Sequence, residues 1–121
     1  EGKRMKFTLT AMFALLYTIS AYANSPEVVA VNASKSGGTW GFSVTLKHAD
    51  VGWDHYADGW GVYLADGTEL GYRVLAHPHV NEQPFTRSLS GVSIPKGTKS
   101  VIIRPHDKVH GFGEDYTFIL K

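Results

Sequence analysis

Apolar and polar residues alternate through most of the chain after residue 24. In TWGFSVTLK (39–47), Trp40, Phe42, Val44 and Leu46 are separated by small or polar residues, a period of two that predicts a strand with one buried face. Trp60, Val62 and Leu64 repeat the pattern, and Asp66-Gly67 then turns the chain into 69–76, which reads as a hairpin. Further strands are expected at 27–33, 85–90, 99–104 and 115–120, where Tyr116, Phe118 and Leu120 share a face. No helical period is sustained in this region. About seven short strands, punctuated by Ser36-Gly37-Gly38, Asp66-Gly67 and Pro95-Lys96-Gly97, predict an all-β fold: an antiparallel β-sandwich of immunoglobulin or fibronectin III type. Trp40 and Trp60 lie in the alternating rows and are expected to anchor the core.

The beginning of the chain has a different pattern. From Met5 it reads MKFTLTAMFALLYTISAYA: one Lys, an apolar run over 7–19, and small residues Ala21 and Ala23 at the end. This is the order of a secretory signal peptide over 5–23, with cleavage before Asn24. The run is shorter than the roughly 20 residues that span a bilayer, so no transmembrane anchor is expected after processing. Residues 1–4 precede the initiator Met5 and receive no structural role. The expected mature unit is a single domain over 24–121, periplasmic or secreted.

Composition then narrows the chemistry. The whole chain carries a formal charge of +1, but the leader holds Lys3, Arg4, Lys6 and Glu1, so residues 24–121 carry 9 basic and 10 acidic side chains. That balance argues against a nucleic-acid partner, which needs a basic face. The absence of cysteine excludes a disulfide framework, a zinc ribbon, a thiolate-held cluster and a Cys nucleophile. An exported domain without cross-links must rely on a contiguous apolar core.

The histidines follow the parity of the connections. Successive antiparallel strands reverse direction, so alternate connections emerge at the same end. Three of them (34–38, 65–68, 91–98) hold no histidine, and the other three (48–58, 77–84, 105–114) hold all 6. His48, His55, His77, His79, His106 and His110 are therefore expected on one rim, beside Asp50, Asp54, Asp58, Glu82, Asp107 and Glu114. Imidazole with carboxylate companions suits Cu(II) or Zn(II). His77-Pro78-His79 is the sharpest pair, and His55, His106 and His110 are the other candidate ligands. The alternative is a polar scaffold: long loops need hydrogen bonds that sheets do not supply, and His and Asp side chains provide them. On that view His48, His55 and His106 favour scaffold, with Asp54, Asp58 and Asp107 as their companions. Trp53 and Tyr56 sit in a long connection, where exposed aromatics can contact a protein partner or a glycan.

Enzyme readings find little support. Ser88 and Ser90 lack a nucleophile elbow, Asp54-His55 has no accompanying nucleophile or oxyanion hole, and the four-residue spacing of Asp50, Asp54 and Asp58 differs from a calcium loop. The expectation is a binding domain without turnover.

The segments HADVGWDHYAD (48–58), HPHVNEQPFTRSLSG (77–91) and Val109-His110-Gly111 resemble a family of small exported bacterial proteins of uncharacterised activity. The resemblance covers most of the mature chain and implies a compact secreted domain. It transfers no functional residue. Immunoglobulin-like superoxide reductases also place His ligands near one end of a sandwich, but they require a Cys that this chain lacks.

Overall fold

The computed structural model describes residues 25–121; the expected leader over 5–23 lies outside the described residues. Among the described residues all the extended regular structure is strand: β1 (Glu27–Ser36), β2 (Thr39–Lys47), β3 (Ala57–Tyr63), β4 (Glu69–Val74), β5 (Phe85–Val92), β6 (Ser100–Asp107), β7 (Gly111–Phe112) and β8 (Tyr116–Ile119). They form two antiparallel sheets. One has the order β1-β2-β5, and the other the order β4-β3-β6-β7 with β8 also paired to β6.

The alternating rows become the core. Phe42, Val44 and Leu46 of β2 are buried together with Trp60 and Val62 of β3 and Val101 and Ile103 of β6, so the apolar faces of both sheets meet in one cluster. Phe118 of β8 closes it edge-on against Phe42, with ring centroids 6.3 Å apart. Trp60 is completely buried, and truncating such an aromatic typically costs about 3–5 kcal/mol.

Two features go beyond the expected strands. The chain makes a short extra strand, β7, because the turn after β6 folds back and pairs His106 with Phe112 and Asp107 with Gly111. β3 also begins earlier than the apolar pattern suggests, at Ala57 opposite Asp107. Its outward positions, Gly59 and Gly61, have no side chain to show the alternation. Their bareness has a use, since the rings of Tyr72 and Tyr63 lie where a Cβ would stand.

Both sheets position the rim. Positions 42, 44 and 46 of β2 face the core, and the alternation continues past the strand end to bury His48 and Asp50. On β6, Val101, Ile103 and Pro105 face inward, and the next member of that row is Asp107. Two strands from different sheets thus deliver ionisable groups to the mouth of the core.

Candidate metal centre

Asp107 is the centre of the rim. Its carboxylate is 0% exposed. Oδ2 faces three imidazole nitrogens: His48 Nε2 at 2.8 Å, His55 Nε2 at 2.7 Å and His110 Nδ1 at 3.2 Å. Oδ1 accepts from the backbone N–H groups of Val109 (2.6 Å) and His110 (3.0 Å), which closes the turn after β6 around the side chain. Burial alone would push this carboxyl up. The hydrogen bonds from the His110 amide, the His55 ring, the Val109 amide and the His110 ring outweigh it and hold the group well below the usual carboxylate range.

His48 joins Asp107 to a second buried carboxylate. Its Nδ1 lies 2.5 Å from Asp50 Oδ1. Asp50 is itself fixed by two backbone donors, Ala57 N–H to Oδ1 at 3.1 Å and His79 N–H to Oδ2 at 2.7 Å. The Gln83 side chain adds a brace, accepting from the His48 N–H at 3.0 Å and donating to the His79 carbonyl at 2.8 Å. The connections after β2, β4 and β6 are therefore tied together through side chains.

The six histidines divide into three environments. His48, His55 and His110 surround Asp107, and the His55 ring stands edge-on to His48 (centroids 4.9 Å apart) and to His110 (5.0 Å). His77 and His79 lie close to each other, at 4.7 Å, but His79 is turned to other partners. Its ring stacks on Phe85 at 4.0 Å, and its Nε2 is 2.9 Å from an Arg87 guanidinium nitrogen. Arginine only donates, so Nε2 accepts and the ring proton resides on Nδ1, which is buried without a partner. Burial, then Arg87, then His77 push the His79 ring below the ordinary histidine value. His106 alternates with Asp107 along β6 and thus lies on the opposite face of that strand, where Nδ1 meets Asp58 Oδ1 at 2.5 Å and the ring packs edge-on to Phe112.

Among the described residues, His48, His55 and Asp107 form a group whose candidate ligand atoms all lie within 4.8 Å of one another. Tetrahedral ligation with bonds of about 2.0–2.2 Å places ligand atoms about 3.3 Å apart. The observed 2.7 and 2.8 Å contacts to Asp107 Oδ2 are hydrogen-bond lengths, shorter than that ligand spacing. The donor set, two imidazoles and one carboxylate, is one that Zn(II) accepts. Asp50, at the far nitrogen of His48, occupies the position of the carboxylate that orients a ligating imidazole.

On the sequence pattern His48, His55 and Asp107 all favour scaffold, and His48 and Asp107 are not among the expected ligands. The signal that finds them is the period of two carried two positions further along each strand: 42, 44, 46, 48 on β2 and 101, 103, 105, 107 on β6. A polar residue in register with a core row must be buried, and a buried charge must be paired.

Trp53 and Tyr56 occupy the loop between β2 and β3. Trp53 is 63% exposed and stands edge-on to Tyr56 at 5.8 Å. The Lys108 ammonium donates to the Trp53 carbonyl at 2.8 Å and lies over the Tyr56 ring.

The geometry defines an all-β domain with a buried carboxylate ringed by imidazoles. In comparison with known proteins, the chain is 47% identical over 88 residues, 72% of its length, to a protein of Halomicrobium mukohataei bearing the name "Putative lipoprotein". The matched part is 43% of that protein, so the chain spans less than half of its relative's length. No family model and no solved structure matches the chain. Among the described residues no helix is long and apolar enough to cross a membrane.

Proposed function

We propose that this domain binds one divalent transition metal ion, Zn(II) or Cu(II), through His48 Nε2, His55 Nε2 and Asp107 Oδ2, with Asp50 orienting His48 and His110 steadying Asp107. The observation that carries this reading is the convergence of three ring nitrogens on a single carboxylate oxygen. A carboxylate offers about four lone-pair sites over its two oxygens, and three N–H donors crowd one of them. An ion at this point replaces the ring protons and relieves the crowding.

The chemistry is binding without turnover. A carboxylate held far below its usual range is a weak base, which suits a ligand better than a proton acceptor. The strand order β1-β2-β5 opposite β4-β3-β6-β7, with β8 also on β6, supports a sandwich of the immunoglobulin or fibronectin III type. The lipoprotein name of the relative and the leader-like pattern of residues 5–23 support export to a periplasmic or extracellular location. These 121 residues contain no cysteine, so S-acylation within them has no thiol to use.

Equilibrium dialysis of the protein against Zn(II) and Cu(II) tests the reading. Retention of about one ion per chain is expected, with loss of retention in His48→Ala and His55→Ala. Undiminished retention in both variants would sink it. A second reading is favoured by the exposure of Trp53 beside Tyr56: a metal-free module in which the polar rim braces the loops and the two aromatics contact a protein or glycan. Absence of retained metal in the wild type selects that reading.

A further inference from the structure

We infer that an ion bound by His48, His55 and Asp107 keeps one exchangeable coordination position, that this position opens into the adjoining cavity, and that a small neutral nitrogen donor of the imidazole type fills it in preference to an anion. The inference rests on the metal reading above and concerns what the bound ion takes as its further ligand.

Three observations support it. First, a cavity of about 620 Å³ reaches the site, with His48 and His55 in its wall. That volume falls within the range of small-molecule sites, and three protein ligands with an open fourth position is the arrangement of exchangeable rather than closed zinc sites. Asp107 is fully buried, and so the ion is reached from the imidazole side. Second, His110 does not complete the set. Its ring nitrogen has the longest of the three contacts to Asp107 Oδ2, 3.2 Å, its side chain is 37% exposed, and it falls outside the close group of His48, His55 and Asp107. Third, the cavity wall selects by charge. Glu27, Glu114 and Asp115 face it against Lys47, and Asp115 is paired with Arg104 at 2.7 Å. Two carboxylates remain against one ammonium. Glu27 and Glu114 are exposed, so their repulsion is screened, but it offsets part of the ion's own attraction for an anion and leaves a neutral donor unaffected.

The test uses the full chain loaded with Co(II), whose visible absorption reports a change of ligand. Dialysis first establishes that cobalt is retained; if none is retained, the metal reading itself fails. Imidazole and azide are then titrated separately while bound cobalt is measured. Saturable movement of the visible bands by imidazole with cobalt retained is expected, with azide about tenfold weaker, equivalent to about 1.4 kcal/mol. Replacing Glu27→Gln and Glu114→Gln together should narrow that gap. Bands that stay fixed at high imidazole while cobalt remains bound would overturn the open position, as would release of the cobalt. Tighter binding of azide than imidazole would overturn the ligand class. Imidazole should still move the bands in His110→Ala, whatever that change does to the overall affinity for cobalt; a response confined to that variant would make His110 the closing ligand and end the inference.

Discussion

At one rim of the domain, His48, His55 and His110 face a buried carboxylate, whereas His79 faces the guanidinium of Arg87. The residue type is the same and the burial of His48 and His79 is nearly equal, yet the two environments ask for opposite chemistry. Around Asp107 the rings present nitrogens to an anion, where a cation is welcome. At His79 the cation is already present as arginine, and its contact occupies the one ring nitrogen that carries a lone pair. What separates a ligand from a packed ring is the charge of the group it meets, and neither the residue nor its burial decides that.

The strongest way to break this contrast is to remove the anion. Asp107→Ala leaves three imidazoles and two backbone N–H groups around a buried void, and a loss of about 3–5 kcal/mol is expected by urea denaturation of the metal-free protein. A loss below 1 kcal/mol would mean that the cluster is not the keystone of the rim. Metal should act next most strongly. A thousandfold excess over Kd stabilises a fold by about 4 kcal/mol, which for a domain of this size raises the melting temperature by more than about 10 °C. The shift is expected to vanish in His48→Ala and to survive His79→Ala; the reverse pattern would exchange the roles of the two regions.

Acidification sharpens the comparison from the other side. The His79 ring is pushed below the ordinary histidine value by burial first and by Arg87 and His77 after it. The unfolded chain therefore takes up a proton near pH 6.5 that the folded chain resists. Stability is unaffected by this group above that range and declines as pH falls through and below about 6.5, until the folded ring also protonates. Metal-free His79→Phe, which keeps a ring against Phe85, should lose less stability between pH 7.5 and pH 5 than the wild type in paired denaturation curves. Equal losses would remove His79 from the account. The smallest effect is expected at Trp53, where replacement by Ala should change stability by no more than about 0.5 kcal/mol and leave metal retention intact. A larger loss would show that its edge contact with Tyr56 holds the loop that carries His55.

Much of the architecture is legible in the residue pattern. The rows 40, 42, 44, 46 and 101, 103 are apolar at every second position, and that period alone assigns a strand and its buried face. Parity of the connections brings all the histidine-bearing segments to one end. Extra pairing at Gly111–Phe112 was not legible, since a two-residue strand is too short to show a period. Nor was the early start of β3, where glycine hides the alternation.

Within the candidate centre, strand periodicity determines the side on which each group lies: it sets His48 and Asp107 inward and His106 outward. Their meeting depends on contacts between residues 59 and 52 positions apart in the chain, made where the end of one sheet packs over the end of the other. Local pattern carries no information about such distances, because a strand's period constrains direction and not reach. The residue pattern thus specifies the longer strands, their inward rows and the end of the domain where the histidines gather. The packing of the two sheets made Asp107 the partner of His48, His55 and His110, because a buried carboxylate must be compensated, and it set the Arg87 guanidinium beside His79, where a neutral ring nitrogen accepts from it.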